Sequence, residues 1–168
     1  IAVLILGGVT IFGVTQYQKK KAAKEYAESV KTYSDNLERA TVTMLKGAGD
    51  AEDCGNLIKN VWYNAIYKEK DDETDKYTRP DGYFVSDFND ALGNLFVDSS
   101  FSSKIDSIDK NQDTVNSLMK KLKNPPEECK DAYDALSDFY DAYLALTGCA
   151  TDPSGSLQTY SSTFNDAD

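Results

Sequence analysis

The sequence predicts an all-α protein, an N-terminal transmembrane helix followed by an antiparallel helical bundle. Three observations carry that expectation. Residues 1–18 hold no charged side chain and then run into Lys19-Lys20-Lys21. From Tyr26 to Ala65 apolar residues recur at alternating steps of four and three, the spacing that keeps one stripe of a helix facing a partner. No stretch of any length alternates with the period of two that marks a strand.

The leading run, Ile1 to Gln18, meets the lower length limit for crossing the hydrocarbon core, about 17 residues at about 1.5 Å each. A buried core helix or the apolar part of a cleaved signal peptide is the duller reading. Against cleavage, Tyr17-Gln18-Lys19 is no small-x-small site, and the helical pattern continues past the lysines. The expected organisation is therefore a lipid-embedded anchor at 1–18 and an acidic bundle domain at 19–168. Both ends of the chain read as cut, at Ile1 and after Asp168.

The stripe comprises Tyr26, Val30, Tyr33, Leu37, Ala40, Met44, Gly47, Ala51, Cys54, Ile58, Val61 and Ala65. Too rich in Tyr, Ala and Gly for a strong zipper, it suits the buried face of a bundle helix. Gly47 and Gly49, each costing about 1 kcal/mol against Ala in a helix interior, predict a kink or short break there. Asp50 would then cap a second segment ending at Lys68-Glu69-Lys70. Residues 71–86 form the main loop, with Pro80-Asp81-Gly82 as its turn.

Ser86 or Asp87 caps a short helix carrying Phe88, Leu92, Leu95 and Phe96. Asp109 or Asn111 begins the next, with Val115, Leu118, Met119 and Leu122 inside. Asn124-Pro125-Pro126-Glu127-Glu128 is a strong helix start, since Pro fits the first turn and acids favour that end. In the helix that follows, Ala132, Tyr133, Leu136, Phe139, Tyr140, Tyr143 and Leu146 share one face. Asp131, Asp134, Asp138 and Asp141 share the other, and Gly148 is the stop. Asp152-Pro153 starts a last helix with Leu157, Tyr160 and Phe164 at helical spacing.

Chemistry is scarce. The chain has 28 Asp+Glu against 18 Lys+Arg, a balance that excludes nucleic acid, whose binding rests on cations meeting phosphates. With no histidine, the commonest general base and zinc ligand is missing. The cysteines lack CxxC spacing, and the glycines make neither common phosphate-binding loop. Asp109-Lys110-Asn111-Gln112-Asp113 opens like a calcium loop but has Thr114 where Gly belongs and Lys120 where Glu belongs. Asp71, Asp72, Glu73 and Asp75 read as a wet acidic loop before they read as a metal site. No enzyme, cofactor or metal is expected.

Cys54, Cys129 and Cys149 make an odd count. Cys129 and Cys149, on one expected helix, stand about 30 Å apart and cannot pair. Cys54 can pair with either, although three buried, reduced thiols are the preferred reading.

The aromatic residues offer the one candidate surface. There are 11 Tyr, 7 Phe and one Trp, and rings with a polar tip favour contact surfaces. Trp62, Tyr63, Tyr77, Tyr83 and Phe84 are the expected partner-binding residues, lining a groove beside the 71–86 loop. The competing reading has Tyr padding a modest core with its hydroxyl at the rim.

Five stretches, Asn60–Tyr67, Asp72–Thr78, Asp87–Leu92, Leu118–Glu128 and Pro153–Tyr160, resemble a group of uncharacterised bacterial proteins common in Gram-positive, often gut-dwelling, anaerobes. Its members have a lysine-rich start, one transmembrane helix and an outward-facing helical domain, some with a cytoplasmic zinc ribbon first. The resemblance implies an exported domain and carries over no activity and no functional residue. Lys19-Lys20-Lys21 alone would pull the domain inward. The function expected is a membrane-tethered binding domain at the outer face of a bacterial membrane, meeting a protein, peptide or envelope component. A cytoplasm-facing structural or adaptor domain is the alternative, and a metal-dependent enzyme the last.

Overall fold

A computed structural model describes residues 2–167, with side chains from residue 16 onward. Helices α1 (Ala2–Tyr67), α2 (Asp75–Thr78), α3 (Phe88–Val97), α4 (Ser99–Leu122), α5 (Lys130–Thr151) and α6 (Leu157–Ala167) follow one another, and a 3-10 turn (Glu127–Cys129) leads into α5. The all-α expectation holds, with no strand among the described residues. Among them no helix is long and apolar enough to cross a membrane. The expected anchor, 1–18, lies outside the described side chains apart from residues 16–18.

The expected break at Gly47-Gly49 does not occur, and α1 runs on to Tyr67. Propensity argued for the break, but tertiary packing decides the matter. Gly47 is buried, and a Cβ there would collide with the Asn111 side chain and meet the Tyr143 ring at 3.0 Å. A bare Cα is what lets α4 and α5 close on α1 at this level. The helix stops where Lys68 takes φ 60° and the Glu69 N–H turns back to the Asn64 carbonyl at 3.2 Å, satisfying a carbonyl the helix leaves open.

Cross-helix contacts give the topology. Going up α1, Tyr33 donates to the Leu122 carbonyl, Thr43 accepts from Asn111, and Asp53 faces Lys104. As α1 numbers rise α4 numbers fall, so the two are antiparallel. Helix α5 opposes α4 in the same way, through Tyr140 to Asn116 and Tyr143 to Asn111. Helix α6 folds back along the upper part of α1, with Lys59 donating to Asn165 and Phe164 lying over Gly55.

The core has a lower half around Tyr33, Met44, Val115, Leu122 and Tyr143. Its upper half surrounds Ile58, Trp62, Leu95, Phe101, Ile108 and Phe164. Ala48 packs against both. The α1 stripe faces this core as the spacing predicted. From Tyr33 to Ala65 every member is buried except half-buried Leu37. Below it, residues 16–29 are exposed on all sides, touching the bundle where the Tyr26 hydroxyl donates to Glu128 at 2.6 Å.

Several boundaries differ from expectation, that of α5 among them, which starts at Lys130 with Pro125 and Pro126 ahead of it. Helix α4 starts at Ser99, not near Asp109, because Asp98 caps it by accepting from the Ser100 and Phe101 N–H groups at 3.0 and 3.1 Å. Helix α5 continues three residues past Gly148, closed by the Asp152 N–H donating to the Gly148 carbonyl. Asp152-Pro153 therefore ends α5 and does not start α6. Ser156 starts α6 instead, its Oγ accepting from the Thr159 N–H while its own N–H donates to Thr159 Oγ1. That reciprocal pair satisfies two donors the helix start leaves free.

Cys54, Cys129 and Cys149 are buried free thiols. Burial pushes the Cys54 and Cys149 thiols up, which makes them weak nucleophiles.

Candidate functional site

The 71–86 segment is anchored at both ends and in the middle. Asp71 Oδ1 accepts from the Glu73 and Thr74 N–H groups at 2.9 and 3.2 Å, starting the single turn α2. Thr74 and Thr78 are fully buried, and Asn64 of α1 donates to Thr74 Oγ1 at 2.8 Å. On the outer side Arg79 bonds Asp75 and the Gly82 carbonyl, both at 2.7 Å. The segment expected to be a wet acidic loop thus spends Asp71 on capping and Asp75 on an ion pair. Gly82, at φ 83°, supplies the positive φ that its turn needs.

The five aromatic candidates do not line one groove. Trp62 is 2% exposed, stacked on Phe88 at 5.2 Å and tilted against Tyr160 at 5.6 Å. Tyr77 is also buried, and its carbonyl accepts from Asn94 at 3.0 Å. Both are buried in the core, where neither ring lies open to solvent. Helices α3 and α6, distant in sequence, roof the side of α1 where Trp62 sits.

Tyr63, Tyr83 and Phe84 do reach the surface. Tyr63 is 47% and Tyr83 84% exposed. Phe84 is half-buried, with the Lys68 ammonium 5.6 Å and the Arg79 guanidinium 5.1 Å from its ring centre. Lys68 also donates to the Val85 carbonyl at 2.7 Å, which pins the loop to the end of α1. Cations on an aromatic face gain about 0.5–1 kcal/mol at exposed sites.

Two further residues belong to this end of the bundle. Tyr67 is exposed with its ring centre 4.5 Å from that of Tyr63, and Ile66 is exposed beside them. Their signal was present in the chain. Tyr63, Ile66 and Tyr67 stand three and four apart yet fall off the Val61-Ala65 stripe, so they form a second apolar face with no partner inside. The site is thus an exposed aromatic end, formed by the last turn of α1 and the turn at residues 80–84. It holds rings, a tyrosine pair and two cations.

Compared with protein-family models, curated proteins and solved structures, the chain matches none.

Proposed function

We propose that the chain is a membrane-tethered helical interaction domain, carried at the outer face of a bacterial membrane with residues 1–18 in the lipid. Its exposed aromatic end, Tyr63, Ile66, Tyr67, Tyr83 and Phe84, meets a protein, peptide or envelope component. One observation carries this reading: α1 holds the solvent-surrounded segment 16–29 and the aromatic end on a single unbroken helix. From Lys21 to Tyr67 that helix spans about 70 Å at 1.5 Å per residue, a stalk with its apolar rings at the far tip. Exposed rings with polar edges suit recognition because they bury much area at little entropic cost.

The opposite orientation, a cytoplasm-facing adaptor, draws on Lys19-Lys20-Lys21 and the tendency of lysines to stay inside. A reporter cysteine at Asp81 separates the two, and the three native thiols are buried. Labelling of intact cells by a membrane-impermeant maleimide supports the outward reading; labelling only after lysis overturns it. In the same cells, Tyr63→Ala with Tyr83→Ala should abolish crosslinking of the partner while helical content stays constant. Unchanged crosslinking removes the aromatic end from the proposal.

A further inference from the structure

A second surface, on the flank of the bundle, is built for a different kind of contact. Helices α1 and α5 run side by side with a groove of about 400 Å³ between them, lined by Leu45, Ala48, Gly49, Phe139, Ala142 and Leu146, with Ala167 of α6 also on its wall. Its floor is low because Gly49 and Ala142 have little side chain. A Cβ at Gly49 would meet nothing within 4 Å, unlike one at Gly47 on the core side. Along the α1 bank, Val42 and Leu45 are 60% and 59% exposed. They sit three apart and off the core stripe, so two large aliphatic side chains face water for no reason of packing.

Acids border both banks. On α1, Glu38, Leu45 and Glu52 stand seven apart, which places both carboxylates on the Leu45 face. On α5, Asp131 and Asp138 stand on the groove side of an exposed acidic face that also holds Asp134 and Asp141. Among the described residues none of these six acids is in an ion pair. The nearby Lys46 is taken by Asp50 at 2.6 Å. An apolar trough with a shallow floor, between two rows of uncompensated carboxylates, is complementary to one shape and one sign. The shape is a helix with aliphatic residues at i, i+3 or i+4, and i+7, and the sign is positive along its flanks.

We infer that the α1/α5 groove docks a basic amphipathic helix from a partner protein. The chain's own basic helix does not fit the description. Around Lys19, Lys20, Lys21 and Lys24 it offers Ala22, Ala23 and Ala27 and no Leu, Ile or Val from residue 16 to 29, so a second copy lacks the aliphatic anchors. This surface is distinct from the aromatic end, and the inference stands whether or not that end binds.

The test uses the full chain in non-ionic detergent and a labelled helical peptide of Leu, Ala and Lys, with Leu at i, i+3 and i+7. A second peptide carries Glu in place of each Lys. Gly49→Gln with Ala142→Gln fills the trough from exposed positions, so the fold is retained and the melting temperature holds or rises. Fluorescence anisotropy should show the lysine peptide binding the native chain at least about tenfold more tightly than the double variant, and more weakly as salt rises. The glutamate peptide should not bind. Equal affinity for native chain and double variant, or equal binding of both peptides, overturns the inference. Self-association of the native chain that the double variant abolishes also overturns it, because the groove is then occupied by a second copy.

Discussion

The Tyr143 hydroxyl donates to Asn111 Oδ1 at 2.7 Å, while the same Asn111 gives its amide hydrogen to the Thr43 carbonyl at 3.0 Å. One asparagine on α4 thereby ties α1 to α5, and it does so directly over Gly47. Asn111 cannot swing away to admit a methyl group without breaking both bonds. Gly47→Ala should therefore destabilise by about 1–3 kcal/mol, although Ala is the better helix former. Gly49→Ala, two residues on and facing open space, should stabilise by about 1 kcal/mol. Urea denaturation followed through Trp62, the one tryptophan, measures both. The account fails if both changes shift the midpoint in the same direction.

The same bridge can be taken apart by a double-mutant cycle. Asn111→Ala leaves the Tyr143 hydroxyl without its partner and removes the second donor to the Thr43 carbonyl, and should cost about 2 kcal/mol. Tyr143→Phe leaves Asn111 its bond to Thr43 and should cost about 1 kcal/mol. Removing both should cost less than the sum, with a coupling of at least about 0.5 kcal/mol. Strict additivity would mean that the two side chains do not act on each other in solution.

The Asn111 bridge also marks what the chain discloses and what it conceals. Asn111 stood out in the sequence only as part of a failed calcium loop and as a candidate helix start, because a half-buried polar residue between helices leaves no periodic trace. Apolar spacing, by contrast, located the α1 stripe from Tyr33 to Ala65 and most of the inner face of α5, since burial repeats every three or four residues, but it also included Tyr26 and Ala132, which are exposed. The start of α4 was hidden because residues 99–107 are mostly polar and turn one apolar residue per turn toward the core, buried Phe101 and then half-buried Ile105. Glycine cost argued for a break in α1 that the approach of α4 and α5 reverses. For the aromatic residues, neighbours in sequence part company in space. Trp62 and Tyr63 differ by about 100° around α1, and α3 and α6 cover one and leave the other in water.

Alkali should weaken the fold through its buried phenols. Tyr33 and Tyr143 are pushed up from 10.0 to about 12, burial being the main cause in each. A raised phenol pKa means that the folded chain holds its proton where the unfolded chain has lost it. The associated stability is complete below pH 10 and is lost as pH climbs from about 10 to about 12. The urea midpoint should therefore fall across that window, after a smaller decline that the raised Cys54 and Cys149 thiols begin as pH passes 9.0. Tyr143→Phe removes one titrating group and should make the decline shallower. A midpoint indifferent to alkali, or an identical slope in the variant, contradicts the burial of these rings.

The final pair of variants distinguishes core from contact within the aromatic residues. Trp62 is 2% exposed, stacks on Phe88 and leans on Tyr160, so its ring contributes packing. Trp62→Ala should cost about 3–5 kcal/mol, and any loss of binding in that variant reports a damaged fold. Tyr83 is 84% exposed on a turn, so Tyr83→Ala should alter stability by less than about 0.5 kcal/mol. Circular dichroism melts decide between the two roles, since the Trp62 variant loses its tryptophan signal. If Trp62→Ala melts with the native chain, the ring is not part of the core. If Tyr83→Ala melts well below it, the turn supports the fold and is not free to serve a partner.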